Sequence, residues 1–286
     1  MIFIMANIVN GKEIAEAVLA ELREEVIRLK ANGVIPTLAV FLVGENPASL
    51  SYIKVKTRKA EEVGIKVIVN RLPESGDGGE LEGRVRAAAE NAGIHAILVQ
   101  LPLPRGFDQG KVLNLIPPAK DVDSLSLPSR TSVIKGEQSS FFPPAAVAVV
   151  KILEHYQVKL KGKNIVIVGT GELVGRPLAA ILLAKGVDFE LANQYTENLH
   201  ELLSRADVVV SAAGKAGLIN GAMIKKGAVV IDAGSTGSLS GAISGDVEKK
   251  SVMAKASLLA PVPGGVGPVT VALLLKNVVA AAAMEA

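Results

Sequence analysis

The chain has no cysteine and no tryptophan, and only 3% of its 286 residues are aromatic. Each absence closes off a class. Without cysteine there is no disulfide scaffold, no thiolate zinc site and no cysteine nucleophile. With so few rings, a hydrophobic content of 49% must be met by Val, Ile, Leu and Ala, which suits buried parallel strands flanked by helices. Nucleic-acid surfaces concentrate cations and interleave aromatics, whereas here the net charge is +3, the pI about 9.0 and the basic residues mostly dispersed. No nucleic-acid partner is expected. The apolar C-terminal run, Val269 to Ala283, is interrupted by Lys276 and Asn277 and is shorter than the roughly 20 residues of a membrane span. It reads as a docked helix. MIFIM at the start is too short for a secretory signal and lacks its charged leader, and Met5 offers a second start. The expectation is a cytoplasmic chain with no membrane partner.

What is present is alternation. At roughly 100 to 200 residues per domain, the length suggests two domains. Residues 11–32 carry Ile14, Val18, Leu22, Val26 and Leu29 at helical spacing, closed by Gly33. Strand-like runs at 37–44, 65–70 and 95–100 are separated by helical stretches at 51–64 and 81–91, which argues for a parallel sheet. Between 101 and 142 the periodicity fails and five prolines punctuate what reads as a long irregular loop. Alternation then resumes with a helix at 145–156 and strands at 163–168, 188–193, 206–214 and 227–234.

Three stretches carry chemistry. In SYIKVKTRKAEEVG, opened by the helix-start pair Asn46-Pro47, helical spacing puts Tyr52, Val55, Lys56, Ala60 and Val63 on one face. A lysine on such a face lowers its pKa or finds a polar partner, and either suits proton transfer; the alternative is a stem along apolar surface with its head in water. Lys54, Lys56, Arg58 and Lys59 are either a solvated face or an attractor for an anion. In KDVD, Asp121 and Asp123 are open to three readings: a solvated loop, a ligand-binding acid or a metal pair. The last lacks the further oxygen ligands such a site needs. Gly169, Gly171 and Gly175 follow a strand and open a helix, with GxGxxxG in place of GxGxxG. That context lets backbone N–H groups approach a pyrophosphate; a tight turn with no ligand is the other reading. For the ribose, Glu190 and Asn193 are both candidates, which leaves NAD and NADP open. The run APVPGGVGPVT (260–270) fixes a rigid, close-approaching backbone, either as a hinge between domains or as a substrate wall.

Taken together, VGENPAS with Tyr52 and Lys56, VQLPLP (99–104), KDVD (120–123), GDV (245–247) and PVPGGVGPVT (261–270) resemble, in order, the methylenetetrahydrofolate dehydrogenase/cyclohydrolase family. The resemblance runs from about Asn10 to the C-terminal helix. It implies two α/β domains: a three-layer catalytic domain (1–142), onto which the last helix (266–286) returns, and a Rossmann-type dinucleotide domain (143–265), with a cleft between them. It also implies hydride transfer from 5,10-methylenetetrahydrofolate to NADP, with NAD left open, then hydrolysis of the methenyl product to 10-formyltetrahydrofolate. By position, Lys56 is the acid/base, Tyr52 stacks on the folate, Gln100 adjusts Lys56 and Asp123 binds the pterin. Leu101, Pro263, Gly264 and Gly265 are expected along the substrate. Gly169, Thr170, Gly171, Gly175, Arg176, Asn193, Gln194, Ala213, Gly214 and Ser235 are expected along the cofactor. No metal is implied, and a homodimer is.

The chain departs from the family pattern at four places: Ser124 to Ser126 where Gly-Phe usually follows the second Asp, PPAAVA at 143–148, Thr170-Gly171, and Asn193-Gln194 where His-Ser is common. Two other readings stand beside the family's, the first of them resting on these altered loops. One is a dehydrogenase acting on a methylene-tetrahydropterin with weak or no cyclohydrolase, and the other a non-catalytic dinucleotide-binding protein.

Overall fold

In the computed structural model, which describes residues 6–135, 141–237 and 243–284, the chain opens with strand β1 (Asn7–Ile8) and helix α1 (Gly11–Ala31). The expected stripe of α1 is buried, from Ile14 to Leu29. Gly33 ends it with φ +83°, a conformation that costs glycine nothing. Next come β2 (Thr37–Val43), α2 (Pro47–Glu62), β3 (Lys66–Leu72), α3 (Gly78–Glu90) and β4 (Ala96–Val99). The stretch expected to be irregular contains two helices, α4 (Gln109–Leu113) and α5 (Leu127–Lys135). Neither shows a long apolar period. α4 has five residues and rests on a cap, Asp108 Oδ1 accepting the Lys111 N–H at 2.9 Å, and α5 carries its proline in the first turn, where no N–H is needed. The second half runs α6 (Pro144–His155), β5 (Ile165–Val168), α7 (Gly175–Ala184), β6 (Glu190–Ala192), α8 (Leu199–Arg205), β7 (Val208–Ser211) and β8 (Val229–Asp232). It closes with β9 (Thr236–Gly237), β10 (Ile243–Ser244), α9 (Lys249–Met253), β11 (Leu258–Ala260) and α10 (Val266–Ala283). The MIFIM opening, Met5 included, lies outside the described residues.

The chain divides into two compact units. One takes the described residues of 16–144 and 271–286 and is built on a parallel three-stranded sheet, ordered β3-β2-β4. Ala39, Phe41 and Val43 of β2 pack into a core with Leu81 and Val85 of α3 and Val112 of α4, while Leu38, Val40 and Leu42 are buried on the opposite face. Burial on both faces explains why β2 reads as one continuous apolar run. The last helix returns to this unit, where Asn277 Nδ2 donates to Val122 O at 2.9 Å. α10 has the length and apolarity of a membrane span, yet Val269, Leu273 to Leu275, Val278 and Val279 are buried in protein.

The other unit takes the described residues of 1–15 and 145–270 around a parallel six-stranded sheet ordered β1-β11-β8-β7-β5-β6. Residues 6–15 fall here, not with the residues up to 142, because β1 pairs with β11 and the Gly11 N–H donates to Gly264 O at 3.0 Å. A two-residue strand carries no pattern that would name its neighbour.

Candidate active site

α2 starts as its sequence suggests, with Asn46 Oδ1 accepting the Ser49 N–H at 3.2 Å. Its buried stripe is Ser49, Ile53 and Ala60, continued by Val63 just past the helix end, with Tyr52 and Lys56 half-buried at the margin. Val55 is not on it. It stands 40% exposed, two residues and so about 200° round from Ile53. Of the neighbouring cations, Arg58 and Lys59 both pair with Glu62, at 3.6 and 2.6 Å.

Lys56 finds a polar partner: its Nζ donates to Gln100 Oε1 at 3.4 Å. Gln100 follows β4, tied to β2 by its N–H to Phe41 O at 2.9 Å, and its Nε2 donates to Leu101 O at 2.7 Å. With the amide nitrogen so committed, the amide oxygen is left for the lysine. Leu101, half-buried, begins the LPLP turn with a cis bond to Pro102.

The KDVD segment is held against β4 by a parallel bridge between Ile97 and Asp121 and by the Ile97 N–H to Lys120 O bond at 2.8 Å. Its two acids do different work. Asp121 is buried and closes the turn, its Oδ2 accepting the Ser126 N–H at 2.9 Å. Asp123 stays half-buried, and burial raises its pKa above the ordinary 3.8, against the pull of the Lys56 ammonium and with a push from Asp121. Lys56, Gln100 and Asp123 are thus brought together, with Tyr52 one turn earlier on α2. Two supporting residues escaped the sequence reading, Asp121 as a turn-former and Asn277. The signal for Asn277 was its polarity inside an apolar helix.

In the six-stranded unit, β5 has β6 on one side and β7 on the other, so the strand order reverses there, the switch point outside whose strands' carboxyl ends such sheets bind ligands. Gly169 leaves β5 with φ +105° and donates its N–H to Ala192 O at 2.8 Å. A Cβ on it would come within 2.6 Å of Ala212 C, and one on Gly175 within 2.8 Å of Gly169 C. A Cβ on Gly171 would meet nothing within 4 Å. Two glycines therefore allow close backbone packing and the third faces open space, an arrangement that fits a dinucleotide pyrophosphate. Thr170 is half-buried. Arg176 is exposed in the first turn of α7, paired with Glu172 at 3.4 Å.

Asn193 and Gln194 lie exposed past β6, where Asn193 Oδ1 accepts the Tyr195 N–H at 2.9 Å. Glu190, the other ribose candidate, sits within β6 and pairs with Arg205 at 3.0 Å. Ala213 and Gly214 follow β7, and Ser235 follows β8; all three are exposed. Pro263, Gly264 and Gly265 belong to this unit as well and pack against the start of α1, where a Cβ on Gly11 would come within 2.6 Å of Gly264 O.

A doubly wound unit with a glycine turn, joined in one chain to an α/β unit bearing a lysine, a glutamine and an aspartate, defines a nucleotide-linked enzyme of the two-unit α/β class. Residues 9–123 match the catalytic domain of tetrahydrofolate dehydrogenase/cyclohydrolase, and residues 143–286 match its NAD(P)-binding domain. The chain belongs to the tetrahydrofolate dehydrogenase/cyclohydrolase family. It is 44% identical to the bifunctional protein FolD of Nitrosospira multiformis over 278 residues, 97% of this chain and 96% of that one. Among solved structures it resembles the bifunctional FolD of Campylobacter jejuni (38% identity, TM-score 0.92, covering 98% of this chain and 100% of that one). It also resembles the Trypanosoma brucei FolD complexed with NADP cofactor and inhibitor (33% identity, TM-score 0.93, 98% of each chain).

Proposed function

We propose that this chain oxidises 5,10-methylenetetrahydrofolate to the 5,10-methenyl compound with NADP and hydrolyses that product to 10-formyltetrahydrofolate. The observation that carries the reading is the Lys56–Gln100 contact at 3.4 Å with Asp123 in the field of the same lysine. The dinucleotide, bound at the Gly169–Gly175 turn, supplies the hydride acceptor. Hydrolysis needs a base to take one proton from the water that adds to the methenyl carbon, and an acid to protonate N5 as the carbon–N5 bond breaks, while the hydroxyl releases its proton to solvent as it becomes the formyl carbonyl. Lys56 fills both roles in turn, and Gln100 aims its nitrogen. Asp123 as a carboxylate accepts N–H groups of the pterin, Leu101 lies along it, and Tyr52 offers its ring face. Thr170, Arg176, Asn193, Gln194, Ala213, Gly214 and Ser235 line the dinucleotide.

The test is a paired assay on purified protein: reduced nicotinamide formed from the methylene substrate with NADP+ or NAD+, beside decay of the methenyl compound. General acid–base catalysis contributes about 10²–10⁴-fold, so Lys56→Ala should slow hydrolysis by at least about 100-fold. Hydride transfer in the wild type without hydrolysis would assign the chain as a dehydrogenase only. Dinucleotide binding with neither reaction would refute the folate assignment.

The same reading includes a cytoplasmic location and a homodimer formed through the dinucleotide unit. In support of the dimer, Leu173, Leu183, Leu191 and Tyr195 are 45 to 80% exposed on or beside α7 and the edge strand β6. Light scattering should give twice the 29.6 kDa chain mass, and Leu191→Lys should shift it to the single-chain value; a monomeric wild type would refute the dimer.

A further inference from the structure

Two buried acids in the six-stranded unit have no part in the chemistry above, Asp232 at the end of β8 and Asp246 in the GDV segment, exposed by only 1% and 0%. Their bonds form a chain. Asp232 Oδ1 accepts the N–H groups of Gly234 and Asp246, both at 3.1 Å, and its Oδ2 accepts that of Val247 at 3.0 Å. Asp246 Oδ2 in turn accepts Ser211 Oγ at 2.8 Å and the Ala213 N–H at 2.7 Å, and its Oδ1 accepts the Lys215 N–H at 2.7 Å. Both oxygens of Asp246 are therefore aimed at the loop that leaves β7.

The fold leaves room for this and for little else. A Cβ on Gly234 would overlap the Asp246 carboxylate, and one on Gly245 would overlap Asp232 Oδ2 and come within 2.8 Å of Val262 Cβ. Only a carboxylate presents acceptors on both oxygens; the amide of Asn would turn a donor toward one loop N–H. Asp is also the shorter acid, and Glu would need a methylene's space beside Gly234.

We propose that Asp246 is a positioning residue that holds the 213–215 loop in its dinucleotide-binding shape before the dinucleotide arrives, and that Asp232 fixes Asp246 in turn. This rests on the reading of the six-stranded unit as the dinucleotide site. Ala213, Gly214 and Lys215 are exposed, so without the buried carboxylate the loop has to be ordered by the ligand and binding weakens.

The experiment combines amide hydrogen exchange on the nucleotide-free wild type and Asp246→Asn with calorimetric titration of both by NADP+ and by NAD+. Expected are slow exchange of the Ala213 and Lys215 amides in the free wild type, loss of that protection in the variant, and a Kd at least tenfold weaker. KM for the dinucleotide should rise in parallel, with a much smaller change in kcat at saturation. Equal Kd in wild type and folded variant overturns the proposal while leaving the dinucleotide site standing. A wild type that binds neither NADP+ nor NAD+ overturns the reading of the site and the proposal with it. Should Asp246→Asn not fold, the free wild type decides: fast exchange at Ala213 and Lys215 overturns the proposal, slow exchange supports it.

Discussion

The glycine turn after β5 makes opposite demands at two of its positions, and alanine separates them. At Gly175 an added Cβ would come within 2.8 Å of Gly169 C and 3.1 Å of Thr170 Cα, and would overlap Gly169 O. Carbon atoms in good contact sit about 3.5–4.0 Å apart, and these obstacles are backbone. Relief requires moving α7 away from the turn, so Gly175→Ala should cost about 1–3 kcal/mol or more, the range for overpacking. At Gly171 nothing lies within 4 Å, and its φ is not in the left-handed region. Gly171→Ala should therefore leave stability unchanged or raise it by about 0.4–1 kcal/mol through the unfolded chain. The same Cβ projects where a pyrophosphate would approach the backbone, so dinucleotide Kd should weaken tenfold or more. Urea unfolding and calorimetric titration with NADP+ and NAD+ measure the two effects. A Gly171→Ala protein with wild-type Kd would show that no pyrophosphate lies against this turn, and a Gly175→Ala protein as stable as wild type would refute the packing argument.

Two further outcomes concern buried groups. Burial pushes the pKa of Asp232 up from 3.8 to about 6, so the folded state favours its protonated form. The associated stability is complete below pH 3.8 and lost as pH rises through about 6, roughly 3 kcal/mol for a shift of about two units. The unfolding free energy of wild type minus that of Asp232→Asn should fall by about that amount between pH 4 and 7, and a constant difference would refute the assignment. Ser124 is buried with φ +56°, and among the described residues nothing hydrogen-bonds its hydroxyl. Ser124→Gly removes the strained conformation and the unpaired hydroxyl, so the urea midpoint should rise by the equivalent of about 1 kcal/mol; a lower midpoint would refute this.

The elements legible in the sequence are those whose own side chains report burial. α1 shows its stripe, β2 and β5 read as apolar runs because both faces are covered, and Gly169 to Gly175 announce a turn by composition. What was not legible either depends on a partner far along the chain or is too short to show a period. β1 is two residues whose role is set by β11, some 250 positions away. α4 and α5 rest on caps and local turns, with too few apolar residues for a period. Val55 was misplaced because a 3.6-residue repeat fixes only angular spacing, and the angle at which α2 meets its sheet is set by Ile53 and Ala60.

The acids of the site show the same boundary more sharply. Asp121 and Asp123 are two residues apart in KDVD, and nothing local distinguishes them. The Ile97 bridge holds Asp121 where its carboxylate accepts the Ser126 N–H, and Asp123 is left in the field of Lys56. GDV likewise appears in the sequence only as a string shared with a family. In the fold its glycine is the space that Asp232 occupies, and its aspartate binds the loop beyond β7. A motif of this kind is a record of contacts made elsewhere in the chain: Gly245 can be understood only with Asp232, Gly234 only with Asp246, and each pair spans more than ten residues of sequence. Substituting either glycine should therefore disturb the carboxylate opposite it before it disturbs its own turn.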